Sequence, residues 1–161
     1  MDIFQTIVAK AAGISADSRL ADVLSGRGEI LELTEKSHDA ALRPKHPGGL
    51  THPERAALAC RIALLNDEAV LARHYDGLIG DSNREIADTG FDGGSDIRLR
   101  AIIRHTDLVA VNPKEAVSGD VSALQNVGIA DADIVRLSEL IAFVSYQIRV
   151  VAGLRLMVEV S

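Results

Sequence analysis

Residues 131 to 160 read DADIVRLSELIAFVSYQIRVVAGLRLMVEV. Ile134, Leu137, Ile141, Val144, Ile148, Val151 and Leu154 recur in this stretch at steps of three and four, the mark of one helix face. Leu140, Phe143, Val150 and Val158 lie off that stripe, so the helix is apolar around much of its girth. A helix of this kind is enclosed by a core or by another subunit. The stretch therefore predicts an all-α fold with a long central C-terminal helix, in a homo-oligomer (dimer, trimer or hexamer) built around it.

Upstream, helical spacing continues and alternating β-branched runs are scarce. The pattern predicts seven or eight helices. Two short ones run from Ile3 to Ala12, closed by Gly13, and from Ser18 to Leu24, closed near Gly26, because glycine accepts the left-handed backbone that ends a helix. A third covers about Glu29 to Leu42. Pro44, Pro47, Gly48 and Gly49 then interrupt the chain. Helices follow over Pro53 to Leu65, Asp67 to Ile79, Ser95 to Val109 and Val117 to Val127, the last stopped by Gly128. The glycine-rich loop Gly90-Phe91-Asp92-Gly93-Gly94 is the expected mobile segment. Helical hairpins in one domain, 1–161, are expected, with residues 1–43 as a helical extension of a core over 50–161.

A chain of 161 residues buries roughly 70% of its unfolded surface, enough for a core without a staple. The single Cys60 permits no intrachain disulfide, and no Cys/His cluster has zinc spacing, so a reducing, cytoplasmic setting with no metal and no cofactor is expected. Met1-Asp2 lacks the charge of a signal peptide, and no apolar run is expected to reach the roughly 18 residues of a membrane span. A net charge of −6, scattered basic residues and no Trp speak against nucleic acid as a partner. No Gly-x-Ser-x-Gly elbow, His-Glu-x-x-His motif or phosphate loop is present.

The residues with chemistry to offer lie mainly between Thr51 and Tyr75. Thr51-His52-Pro53-Glu54 has the form of a capping box, in which Glu54 satisfies an orphan amide; a catalytic carboxylate is the alternative. His74 beside Tyr75 is a core or interface group, or an acid/base. Cys60, among Ala57, Ala59 and Ala63, reads as a buried small hydrophobe. His105 reads as part of a solvated or intersubunit face, and His38, His46 and His52 as surface positions without partners. Arg98, Arg100 and Arg104 form a salt-bridged helix face or a carboxylate clamp.

From Leu99 to Leu156 the chain carries Asn112-Pro113, a helix stop at Gly128, Asp131, then Ala142-Phe143, Tyr146 and Arg149-Val150-Val151-Ala152. In these elements it resembles the peroxidase-related proteins of the AhpD-like superfamily, which also holds the carboxymuconolactone decarboxylases. The resemblance implies an oligomeric all-α fold and, in active members, a Glu, a CxxC pair and a His that relays the proton of a thiol site. Glu54 and His74 match that Glu and His as the candidate catalytic residues, whereas Asp67 and Val70 stand where the two cysteines would be. The implied protein is a member with a degenerate thiol site and no peroxidase activity, acting as a binding or structural partner. The alternatives are a thiol-independent enzyme of the decarboxylase type acting on a small carboxylated substrate, with His74 as acid/base, and residual peroxidase chemistry through Cys60. A small-molecule ligand or an AhpD-like protein would be the partner. Asp67 could also be a substituted acid.

Overall fold

A computed structural model of the chain describes residues 1–160. Its assembly is easiest to follow from the Thr51 capping box. The Thr51 hydroxyl accepts the Glu54 amide at 3.3 Å, and the Glu54 carboxylate accepts the Thr51 amide at 2.8 Å. With Pro53 in the first turn, this starts a helix over His52–Leu65, in which every residue from Arg55 to Ala63 is buried. The next long helix, Ala69–Ile79, folds back on it as a hairpin.

In chain order the helices are α1 (Ile7–Ala11), α2 (Ala21–Ser25), α3 (Gly28–Leu42), α4 (His52–Leu65), α5 (Ala69–Ile79), α6 (Arg84–Ala87), α7 (Ile97–Val111), α8 (Ser118–Asn126) and α9 (Asp131–Val160), with 3-10 turns at Ile3–Gln5 and Pro113–Glu115. The described residues form no strand, so the chain is all-α. α9 is the central element: α1, α3, α4 and α7 all pack on it, and Ile134, Leu137, Leu140, Ile141, Val144 and Val151 enter one core that also takes Val8, Leu24 and Leu31 from the N-terminal segment. Arg155 ties the far end of α9 down, donating to both oxygens of Glu68 (2.7 and 2.8 Å) and to the Ala11 carbonyl.

Several boundaries differ from expectation. The first helix is broken at Thr6, whose backbone is extended and whose hydroxyl bonds the Ile3 carbonyl. Gly26 keeps a right-handed backbone, and α2 starts only at Ala21. α5 starts at Ala69 because Asp67 adopts a left-handed turn (φ +57°) and Glu68 caps the Leu71 amide. The four-residue α6 has no counterpart in the apolar periodicity. Leu140 is fully buried rather than off the packed face.

The connection between α3 and α4 is fixed by buried Arg55, which donates to the carbonyls of Leu50, Ala41 and Pro47 at 3.0 Å each. Gly48 (φ +67°) must be glycine there: a Cβ would stand 2.3 Å from Asp133 Oδ1 and 2.6 Å from Arg136 Nη1. The loop expected to be mobile is pinned as well. Arg61 binds the carbonyls of Ile86, Asp88 and Thr89 at its entrance, Phe91 packs on the core, and Gly93 lies against the Arg100 backbone, where a Cβ would come within 2.6 Å.

The expectation that no segment is long and apolar enough to cross a bilayer is corrected by α9. This 30-residue helix contains an 18-residue window of mean hydropathy 1.5, of which 22% is buried within the chain. Periodicity alone understates such a helix, because Ser145, Gln147, Arg149 and Arg155 interrupt the apolar run without lowering its mean enough. One face of α9 is nonetheless held in the chain's own core.

Candidate functional site

His38 lies on the packed stripe of α3, in register with Leu31, Thr34 and Leu42 at steps of three and four. His74 lies on α5 between buried Leu71 and Tyr75. The two helices bring the imidazoles together with Nε2 to Nε2 at 3.0 Å. Tyr75 stacks on His38 at 6.0 Å between ring centroids, and Phe143 of α9 meets it edge-on at 6.2 Å. His38 Nδ1 is 3.3 Å from Asp39 Oδ1. In the tautomer in which His38 donates Nδ1–H to Asp39, its Nε2 accepts from His74 Nε2–H. His74 Nδ1 is then a bare lone pair with no partner in the chain.

Both imidazoles face a cavity of about 410 Å³ between α1, α3 and α5. One part of its wall is apolar, from Ile7, Ala11, Val70, Leu71 and Leu78; the other carries Lys10, Glu35, Asp39 and Arg43. Glu35 is engaged, accepting the Ile7 amide at 3.0 Å. The Lys10 ammonium and the Arg43 guanidinium have no hydrogen-bond or ion-pair partner among the described residues. Burial pushes the His74 pKa down to about 4, helped by the neighbouring His38 and Arg43. Burial also lowers that of His38, against the opposing pull of Asp39 and Glu35. At neutral pH the pair is uncharged and shares one N–H.

His38 was expected at the surface without a partner; it is buried and holds His74. The 31/34/38/42 spacing was the signal that could have located it. Glu54 is not brought to His74. Besides its capping bond, its other oxygen accepts from Arg98 at 2.9 Å, and it lines no part of the cavity. Asp67 is exposed in the turn before α5, while Val70 contributes to the cavity wall. Cys60 is buried, donates its S–H to the Ala72 carbonyl at 3.4 Å and opens towards a different cavity, beside Arg73 and Asp76. Burial pushes its thiol up to about 11, far from a reactive thiolate.

His105, expected on a solvated or intersubunit face, is 6% exposed within the chain, and its Nδ1 has no partner. Its proximity in sequence to Arg100 and Arg104 misled, because the cations point outward while His105 turns in with Ile102 and Thr106. The arginines of α7 act separately: Arg98 pairs with Glu54 and Arg104 with Asp120 at 3.0 Å. Asp96 caps α7 through the amides of Arg98 and Leu99 and bonds neither guanidinium. Among the described residues no three His, Cys, Asp or Glu side chains converge on a metal position. Comparison of the chain with models of protein families, with curated proteins and with solved structures finds no match in any of the three.

Proposed function

We propose that the chain is a helical binding module without thiol chemistry, whose small-molecule ligand occupies the cavity between α1, α3 and α5. One observation carries this reading: the His38–His74 pair lines that cavity with a ring nitrogen of His74 unpartnered. Facing the cavity, that nitrogen is free to meet a ligand. The size of the cavity and its mixture of apolar wall and few polar groups suit a small ligand.

The same proposal keeps the chain in the AhpD-like class as a member with a degenerate thiol site and no peroxidase activity. It is supported by Asp67 and Val70 at the positions that the resemblance gives to the cysteines and by the burial of Cys60. A homo-oligomer built on the uncovered side of α9 belongs to this proposal, supported by exposed Leu156, Met157 and Val160 and by the apolar groove of Ile30, Leu33 and Phe143.

The test pairs two assays. Peroxide decay with excess dithiol should be absent in wild type and in Cys60→Ser alike; turnover that Cys60→Ser abolishes would overturn the reading without thiol chemistry. A panel of small organic probes should contain at least one that raises the unfolding midpoint of wild type and leaves His74→Phe, which lacks the ring nitrogen, unmoved. Equal shifts in both proteins would place the ligand elsewhere.

A second reading is favoured by the hydrogen-bond chain itself. Asp39, His38 and the open Nδ1 of His74 form a line along which a proton taken at His74 is passed to His38 and held by Asp39, as a thiol-independent enzyme of the decarboxylase type would need. On that reading a small carboxylated substrate is turned over, and His74→Gln removes turnover while leaving the helical content intact.

A further inference from the structure

The cavity has an imbalance that its hydrogen-bond pattern makes visible. Its two carboxylates each accept a hydrogen bond from the chain, Glu35 from the Ile7 amide at one oxygen and Asp39 from His38, and keep their charge, whereas its two cationic donors, Lys10 and Arg43, have no hydrogen-bond partner among the described residues. The titratable and charged groups around the pair are thus Lys10 from α1, Glu35, Asp39 and Arg43 from α3, and from α5 His74 itself and Tyr75, whose phenol burial keeps neutral; α9 presents the neutral ring of Phe143. The lining also includes aliphatic Ile7, Val70, Leu71 and Leu78. This arrangement recognises a molecule with one negative end and an apolar body.

We propose that the cavity binds a small aliphatic monocarboxylate and takes up one proton as it does so. This rests on the reading of the cavity as a ligand site and names the ligand class. The carboxylate lies near Lys10 and Arg43 and accepts a hydrogen bond from His74 Nδ1. In the tautomer in which His38 donates to Asp39 that nitrogen carries no proton, so the bond forms when Nδ1 takes one from solvent. The proton goes on at His74 Nδ1, and no covalent bond to the ligand is made or broken. The Nε2 contact with His38 and the Asp39 carboxylate beyond it then hold the added charge. Without an anion the buried pair resists that proton, which agrees with the depressed basicity of both rings.

Binding and protonation therefore favour one another, and affinity rises as pH falls. The experiment is calorimetric titration of the full chain with hexanoate, 1-hexanol and hexylamine, at pH 6 and pH 8, each in two buffers of different ionisation enthalpy. Across this window the free carboxylate stays ionised. Hexanoate is expected to bind best, tightening by up to about tenfold per pH unit between pH 8 and pH 6, the slope that corresponds to one proton taken up per ligand. Lys10→Met and Arg43→Met, both at exposed positions, should each weaken hexanoate by roughly two- to fivefold and leave hexanol unchanged.

Hexanol binding as tightly as hexanoate would overturn the inference while leaving the cavity a ligand site. So would preference for hexylamine, or hexanoate binding without proton uptake. No binding of any of the three probes would overturn this inference and weigh against the ligand-site reading together.

Discussion

The α4–α5 hairpin buries polar groups on two sides, and the two sides treat them differently. Towards α6 and α7, Arg61 is 2% exposed, with Nε and Nη2 on Asp107 at 2.6 and 2.7 Å and its remaining donors on the carbonyls of Ile86, Asp88 and Thr89. Towards α1 and α3, His74 has one partner, a spare nitrogen and two unpaired cations nearby. A saturated cluster holds the fold and has nothing left to offer a ligand. An unsaturated one contributes less to stability and keeps the capacity to bind.

The sharpest way to break this comparison is to truncate both sides. Arg61→Met strands Asp107 and three carbonyls, and should cost about 3 to 5 kcal/mol in urea denaturation; a loss under about 1 kcal/mol would end the distinction. Tyr75 and Gln147 form an intermediate case. The Tyr75 hydroxyl donates to Gln147 Oε1, while Gln147 Nε2 is buried without a partner. Tyr75→Phe should cost about 1 to 3 kcal/mol, and Tyr75→Phe combined with Gln147→Leu should recover much of it, because apolar groups then replace both partners.

On the unsaturated side the effect appears as pH dependence. An unfolded imidazole has a pKa of about 6.5, whereas folded His74 sits at about 4. Above pH 6.5 the group is neutral in both states and contributes no slope. As pH falls from 6.5 towards 4 the unfolded chain binds a proton that the folded one refuses, so stability declines across that window. His74→Phe should reduce that slope, the other depressed imidazoles, His38 and His105, keeping their share, as read from urea midpoints at pH 7 and pH 5; an unchanged slope would mean the His74 imidazole is not desolvated. The smallest effect is expected at Glu54. Glu54→Ala removes half of a capping box and one side of a partly exposed ion pair, about 1 kcal/mol, with no change in ligand binding.

Much of the helical frame was legible in the sequence, because steps of three and four with capping residues dictate it locally. The capping box at Thr51 and the long helix from Asp131 are where the pattern placed them. What escaped is set by contacts distant in sequence. α6 is four residues long, and its carbonyl environment is organised by Arg61, more than twenty positions earlier. The Gly90–Gly94 loop reads as free from composition and is pinned by tertiary neighbours.

The candidate site was half legible. His74 drew attention through its place in the Thr51–Tyr75 region and the resemblance, but pairing it with Glu54 failed, since that carboxylate faces Arg98. Its actual neighbour, His38, is 36 positions away on another helix, and only its register with Leu31, Thr34 and Leu42 marked it as inward-facing. Lys10 and Arg43 are ordinary surface cations in sequence; their lack of a hydrogen-bond partner appears only when α1 and α3 meet.

The most direct test of the contrast between saturated and unsaturated sides is an NMR titration of the histidine ring signals, with and without hexanoate. The account predicts that His74 titrates near 4 in the free protein and that its midpoint moves upward when hexanoate is bound, while His105 on α7 is unaffected by the ligand. A His74 midpoint near the unperturbed value of about 6.5, unmoved by hexanoate, would contradict it.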